Sequence, residues 1–94
     1  MQKSLHSLEY QKVLVKLIAL RQKAGMTQRD LAKKLAREQN FVWRIEKGER
    51  RLDVVEFFWV CQALGQDANR IYKELVAAFQ QESQESGNGK GKAG

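Results

Sequence analysis

The sequence contains no proline. Proline is the strongest interruption of a helix, and few β-branched runs stand in its place, so the composition favours helix over sheet. There is one cysteine, Cys61, and one histidine, His6. A single cysteine excludes an internal disulfide, and the two residues together fall short of a structural zinc site. No apolar run reaches the roughly 18–20 residues of a membrane span. Residues 1–9 are polar and mixed, without a signal-peptide pattern. No carboxylate pair, metal cluster or phosphate-cradling glycine loop is present. Neither Cys61 nor His6 has a partner that would make it a nucleophile or a base. These absences predict a cytoplasmic protein that is not an enzyme, with no catalytic residues, no cofactor, no metal and no membrane partner.

What is present fits one small domain. Ninety-four residues allow one domain rather than two. A chain of this length buries only about 60–65% of its unfolded surface, so the core is thin. The charge is uneven. Residues 1–51 carry 13 basic and 5 acidic side chains, net +8, and residues 52–94 carry 4 and 6, net −2. A basic half joined to a slightly acidic half points to one face for a polyanion.

Read along its length, the chain gives five helices and a tail. The first spans about 8–24, with Tyr10, Val13, Leu14, Leu17 and Ile18 at three- and four-residue spacings, and Gly25 stops it. Thr27 and Asp30 open the second, about 28–35. The third spans about 39–47 and ends at Gly48. Asp53 and Glu56 open the fourth, about 54–64, which ends at Gly65. Asp67 caps the fifth, about 68–82. From Ser83 the composition turns to Ser, Gln, Gly, Asn and Lys, which predicts a disordered tail over 83–94. The expected domain is therefore 1–82, all-α.

Two short helices joined by a tight turn, between Thr27 and Gly48, form a helix-turn-helix arrangement. The second helix must protrude into a DNA groove about 12 Å wide while the first braces it. At the helical rotation of about 100° per residue, Phe41, Val42 and Ile45 share one apolar face. Asn40, Trp43, Arg44 and Lys47 share the opposite side, with Gln39 at its edge. Arg can hold guanine O6 and N7, and Asn or Gln can hold adenine N6 and N7. Gln39, Asn40, Trp43 and Arg44 are thus the candidate base contacts. Asn40 equally suits a local cap, and Trp43 suits either a thymine methyl or sugar, or a place over its own helix. Lys47, Arg50 and Arg51 suit phosphates, as do Gln28 and Arg29 at the start of the second helix.

These same residues carry a resemblance. The stretch Leu20-Arg21, Gly25-Met26-Thr27-Gln28, Leu31-Ala32, Gln39, Val42 and Arg44-Ile45-Glu46-Lys47-Gly48 resembles the phage-repressor and Cro-like helix-turn-helix family over roughly residues 13–79. The resemblance implies a five-helix, lambda-repressor-like domain that binds double-stranded DNA in sequence-specific fashion. It implies a bacterial or phage transcriptional regulator, a repressor by kinship, nucleoid-associated and dimeric. It also implies that Gln28 contacts phosphate and that Arg21 and Glu46 form a structural ion pair. Two positions depart from the family. Ala36 stands where glycine is common, and Trp43 where a small or polar residue is common.

For self-association, the same rotation places Phe57, Phe58, Cys61 and Leu64 on the side of the fourth helix that Val54 occupies, the expected core face. Trp59 falls off that face. With Tyr72, Val76 and Phe79 on the flank of the fifth helix, it marks the expected homodimer interface, through the C-terminal half. An alternative of another class is an antitoxin-type protein-interaction module that also binds DNA.

Overall fold

The computed structural model describes residues 7–91, with side chains described through 81. His6 and residues 92–94 lie outside the described residues. The elements are α1 (Leu8–Lys23), α2 (Gln28–Lys34), α3 (Gln39–Glu46), α4 (Val54–Ala63) and α5 (Ala68–Gly91).

Helix starts follow from local hydrogen bonding. Ser7 caps α1 by accepting from the Tyr10 N–H at 3.0 Å. Thr27 and Asp30 form a reciprocal capping box at the start of α2, and Asp53 and Glu56 form another at the start of α4. Asp30 is held below the usual carboxylate range by the Thr27 backbone N–H, then by its hydroxyl.

The turn between α2 and α3 is the strained point. The Ala36 N–H donates to the Lys33 carbonyl and the Arg37 N–H to the Ala32 carbonyl, closing α2 as a Schellman motif. That motif needs a left-handed residue, and Ala36 takes it with φ +57°. An L side chain there costs about 1 kcal/mol relative to glycine.

The core has two connected parts. Leu17 of α1, Leu31 and Ala32 of α2, Phe41, Val42 and Ile45 of α3, and Val60 and Leu64 around α4 form the larger. Cys61, Ile71 and Leu75 form the smaller, where α4 meets α5. Burial pushes the Cys61 thiol up to about 11, so it stays a protonated packing group.

Two features differ from the sequence reading. First, α5 runs to Gly91 rather than ending near 82, so the helix enters the segment read as tail. A helix anchored by Ile71 and Leu75 meets no proline beyond them. Second, α4 is rotated from the expected setting. Val54 is 80% exposed and Phe58 47%, while the inward side carries Glu56, Val60 and Cys61. Apolar residues run almost all the way round α4, so they do not fix its rotation. A polar anchor does. Glu56 receives both Arg50 guanidinium nitrogens, at 3.0 and 2.8 Å, and the Asp53 N–H at 3.0 Å, which ties its side of the helix to the domain.

Candidate nucleic-acid interface

Helix α3 has two unlike sides. Phe41, Val42 and Ile45 are buried against α1, α2 and α4. Gln39, Asn40, Trp43 and Arg44 are exposed on the other side, and Lys47 follows at the helix end. The Lys47 ammonium lies 5.4 Å from the centre of the Trp43 ring. This side offers amide, guanidinium and aromatic groups together. Glu38 precedes the helix without a side-chain capping bond, so the first turn of α3 keeps N–H groups without an intrahelical partner.

A fixed polar joint connects α3 to α1 and α2. Arg21 Nε donates to Glu46 Oε2 at 2.7 Å and its Nη2 donates to Oε1 at 3.0 Å. Arg21 Nη1 donates to the Met26 carbonyl at 2.8 Å. The two side chains are only 12% and 10% exposed. Gln28 Nε2 completes the joint, donating to Glu46 Oε1 at 2.8 Å. A bidentate fork of this kind sets orientation as well as attraction. The joint therefore holds the end of α3 at a set angle to the start of α2.

Gln28 thus braces the joint with one of its two amide N–H groups. Arg29 remains exposed at the same helix start. A shallow depression lined by Arg21, Thr27, Gln28, Arg29 and Gln39 joins the starts of α2 and α3.

Arg50 is engaged within the domain. Both of its terminal nitrogens bind Glu56, and its guanidinium carbon lies 4.9 Å from the centre of the Phe41 ring. Its hydrogen bond with Glu56 raises its own affinity for the proton, so it is a permanently charged structural residue. Arg51 differs: it is exposed, with its guanidinium 4.6 Å from the centre of the Tyr10 ring. Tyr10 braces the same loop, its hydroxyl accepting the Leu52 N–H at 3.1 Å. Sequence spacing gave no sign of the Arg50–Glu56 pair, because no helical periodicity relates a loop residue to one six positions on. It also missed Arg37, which lies 3.8 Å above the Phe41 ring.

On the C-terminal half, Tyr72 is exposed and meets Phe57 edge-on, with ring centres 6.4 Å apart. Val76 is half-buried, and Phe79 packs in part against the smaller core. Trp59 is 50% exposed but lies about 160° around α4 from Phe57, on the side of α2. Trp59 and Tyr72 are therefore brought to opposite flanks of α4's outer side, with Val54 and Phe58 between them. Among the described residues no helix is long and apolar enough to cross a membrane. Among those residues no three His, Cys, Asp or Glu side chains group as a metal site.

Comparison with known proteins gives a consistent picture. Residues 15–71 match a family profile described as helix-turn-helix domain. The chain is similar to an XRE-family like protein from Pseudomonas syringae pv. tomato str. DC3000, with 42% identity, 78% of this chain and 91% of that chain covered, and TM-score 0.73. It is similar to a point mutant of the restriction-modification controller protein C.Esp1396I, with 26% identity, 79% and 94% covered, and TM-score 0.70. In fold alone it resembles the clp gene regulator ClgR from Corynebacterium glutamicum, with 19% identity, 89% of each chain covered and TM-score 0.68. No curated protein matches it.

Proposed function

Because the chain belongs to the helix-turn-helix domain family of XRE type, we propose that it reads double-stranded DNA as a homodimer, with the outer side of α3 in the major groove. It is a DNA-binding transcription regulator and not an enzyme. The observation that carries the finer reading is the two-sided α3. Its apolar residues are spent on the core, and its amide and guanidinium groups are left outward as a set. Arg44 takes a guanine edge, Gln39 and Asn40 take adenine edges, and Trp43 packs on a thymine methyl or a sugar. Arg29, Lys47 and Arg51 hold phosphates, which fix register without reading sequence. Work on the nucleoid, in the cytoplasm, follows from this partner.

One such domain reads few base pairs, so useful specificity needs two copies on half-sites about 34 Å apart. The pairing surface is the apolar strip from Tyr72 and Val76 across Val54, with Phe58 and Trp59 bordering it. The half-buried Phe79 shares α5 with Tyr72 and Val76 and packs in part against the smaller core. Sedimentation at micromolar concentration should give a dimer, and a monomer there would remove the pairing.

Selection of bound duplexes from a random pool, at near-physiological salt, tests the reading role. Arg44→Ala should then lose about 1–3 kcal/mol on the selected duplex and little on random DNA. Arg51→Ala should weaken both alike and lower the salt slope by about one. Equal losses by Arg44→Ala on both duplexes would exclude it from base reading.

A further inference from the structure

A groove between the end of α2 and the outer side of α4 lies outside the surface assigned above to DNA. It holds about 740 Å³. Leu35, Phe41, Val60 and Ala63 line it, and Phe58 and Trp59 form its α4 wall. It opens away from the reading side of α3, since Phe41 lies about 160° around that helix from Trp43. Half-exposed tryptophan and phenylalanine rings beside such a hollow form a patch that water solvates poorly.

Its charge is one-sided. Lys34 and Arg37 are exposed on its rim. Among the described residues neither takes part in an ion pair, whereas Lys16, Arg21, Arg50 and Arg70 each pair with a glutamate. Glu56 is the one acid in the lining; both its oxygens accept from Arg50, and the Arg37 charge also acts on it. Arg37 is already stacked over Phe41, so little rotamer freedom remains for a partner to remove.

We propose that this groove binds an acidic segment of a partner protein, with an apolar side chain seated between Leu35 and Trp59 and its carboxylates on Lys34 and Arg37. Two cations without an ion pair, beside an apolar hollow, attract and orient an anionic segment. Tryptophan and arginine are the side chains that dominate protein interfaces when desolvated. Among the residues whose side chains are described, the acids of the C-terminal half are already engaged. There Glu74 is held by Lys16 and Arg70, Glu56 by Arg50, and Asp53 and Asp67 accept backbone N–H groups at helix starts.

The full chain, immobilised at near-physiological salt, is offered a displayed library of short random peptides. The enriched peptides should carry two or more Asp or Glu beside Leu, Phe or Trp. The commonest is synthesised and titrated into the Trp43→Phe protein, where Trp59 is the one remaining tryptophan. Its emission should shift to the blue. The Lys34→Gln, Arg37→Gln double variant should bind that peptide at least about tenfold more weakly, with a nearly unchanged melting temperature and DNA affinity within about threefold. Five results would overturn the proposal. The library yields no acidic enrichment. The peptide leaves Trp59 emission unchanged, or binds the double variant equally well. The double variant loses DNA affinity tenfold, which would assign the two cations to phosphates. The peptide dissociates a dimer in sedimentation, which would show that a second copy covers the groove.

Discussion

Helices α3 and α4 each turn a tryptophan outward, and their surroundings are opposite. Trp43 is 41% exposed among Gln39, Asn40, Arg44 and Lys47. Trp59 is 50% exposed beside Val55 and Phe58. An aromatic ring among amides and cations suits a polyanion that presents hydrogen-bonding edges and methyl groups. A ring in an apolar strip is desolvated best by another protein surface. The two helices also differ in what sets their rotation. In α3 the apolar residues lie on one side, so packing alone decides which side faces out. In α4 they lie nearly everywhere, and the Arg50–Glu56 fork decides. Exposure of a large ring is therefore informative only together with its neighbours and with the cause of the helix's rotation.

The largest effect is expected at the joint that aims α3. Arg21→Ala or Glu46→Ala leaves its partner charge buried without a counter-charge, at a cost of roughly 3 kcal/mol in unfolding free energy. The double variant should cost less than the sum, because neither charge is then stranded. A double-mutant cycle in urea reads the coupling, and additive losses would dissolve the joint as a unit. The α2–α3 turn comes next. Ala36→Gly relieves a left-handed alanine and should stabilise by about 1 kcal/mol, raising the melting temperature by about 4–8 °C. A lower melting temperature would mean that the Schellman turn is not the strained point.

The smallest effect concerns the anchor of α4. The Arg50 guanidinium, then the Asp53 N–H, hold the Glu56 carboxyl below its ordinary value of 4.5. A carboxylate lowered on folding contributes stability that is full above that ordinary value and is lost as pH falls through the lowered one. Melting temperature should thus decline below about pH 4.5, and Arg50→Ala should flatten that decline. The same acid-side decline in both proteins would detach Glu56 from the fork.

Much of the fold was legible because its signals are local. Thr27 with Asp30, and Asp53 with Glu56, announce helix starts through side chains three residues apart. Gln39 to Lys47 has one apolar side, so its outward residues could be named from spacing. What was not legible depends on contacts between elements. Val54 and Phe58 were assigned inward because no spacing rule foresees the fork that rotates α4. The glutamate bonds of Gln28 and Arg50 likewise join separate segments, and no spacing rule announces them. The groove beside Trp59 draws on α2, α3 and α4 together, so no stretch of sequence contains it.

The most direct test uses the two tryptophans as reporters of the two surfaces. Two single-tryptophan proteins, Trp59→Phe and Trp43→Phe, are titrated to saturation with the selected duplex, at a protein concentration where sedimentation shows one assembly state. Trp43 emission should change with DNA while Trp59 emission stays constant. A response confined to Trp59 would move DNA binding away from α3 and contradict the account.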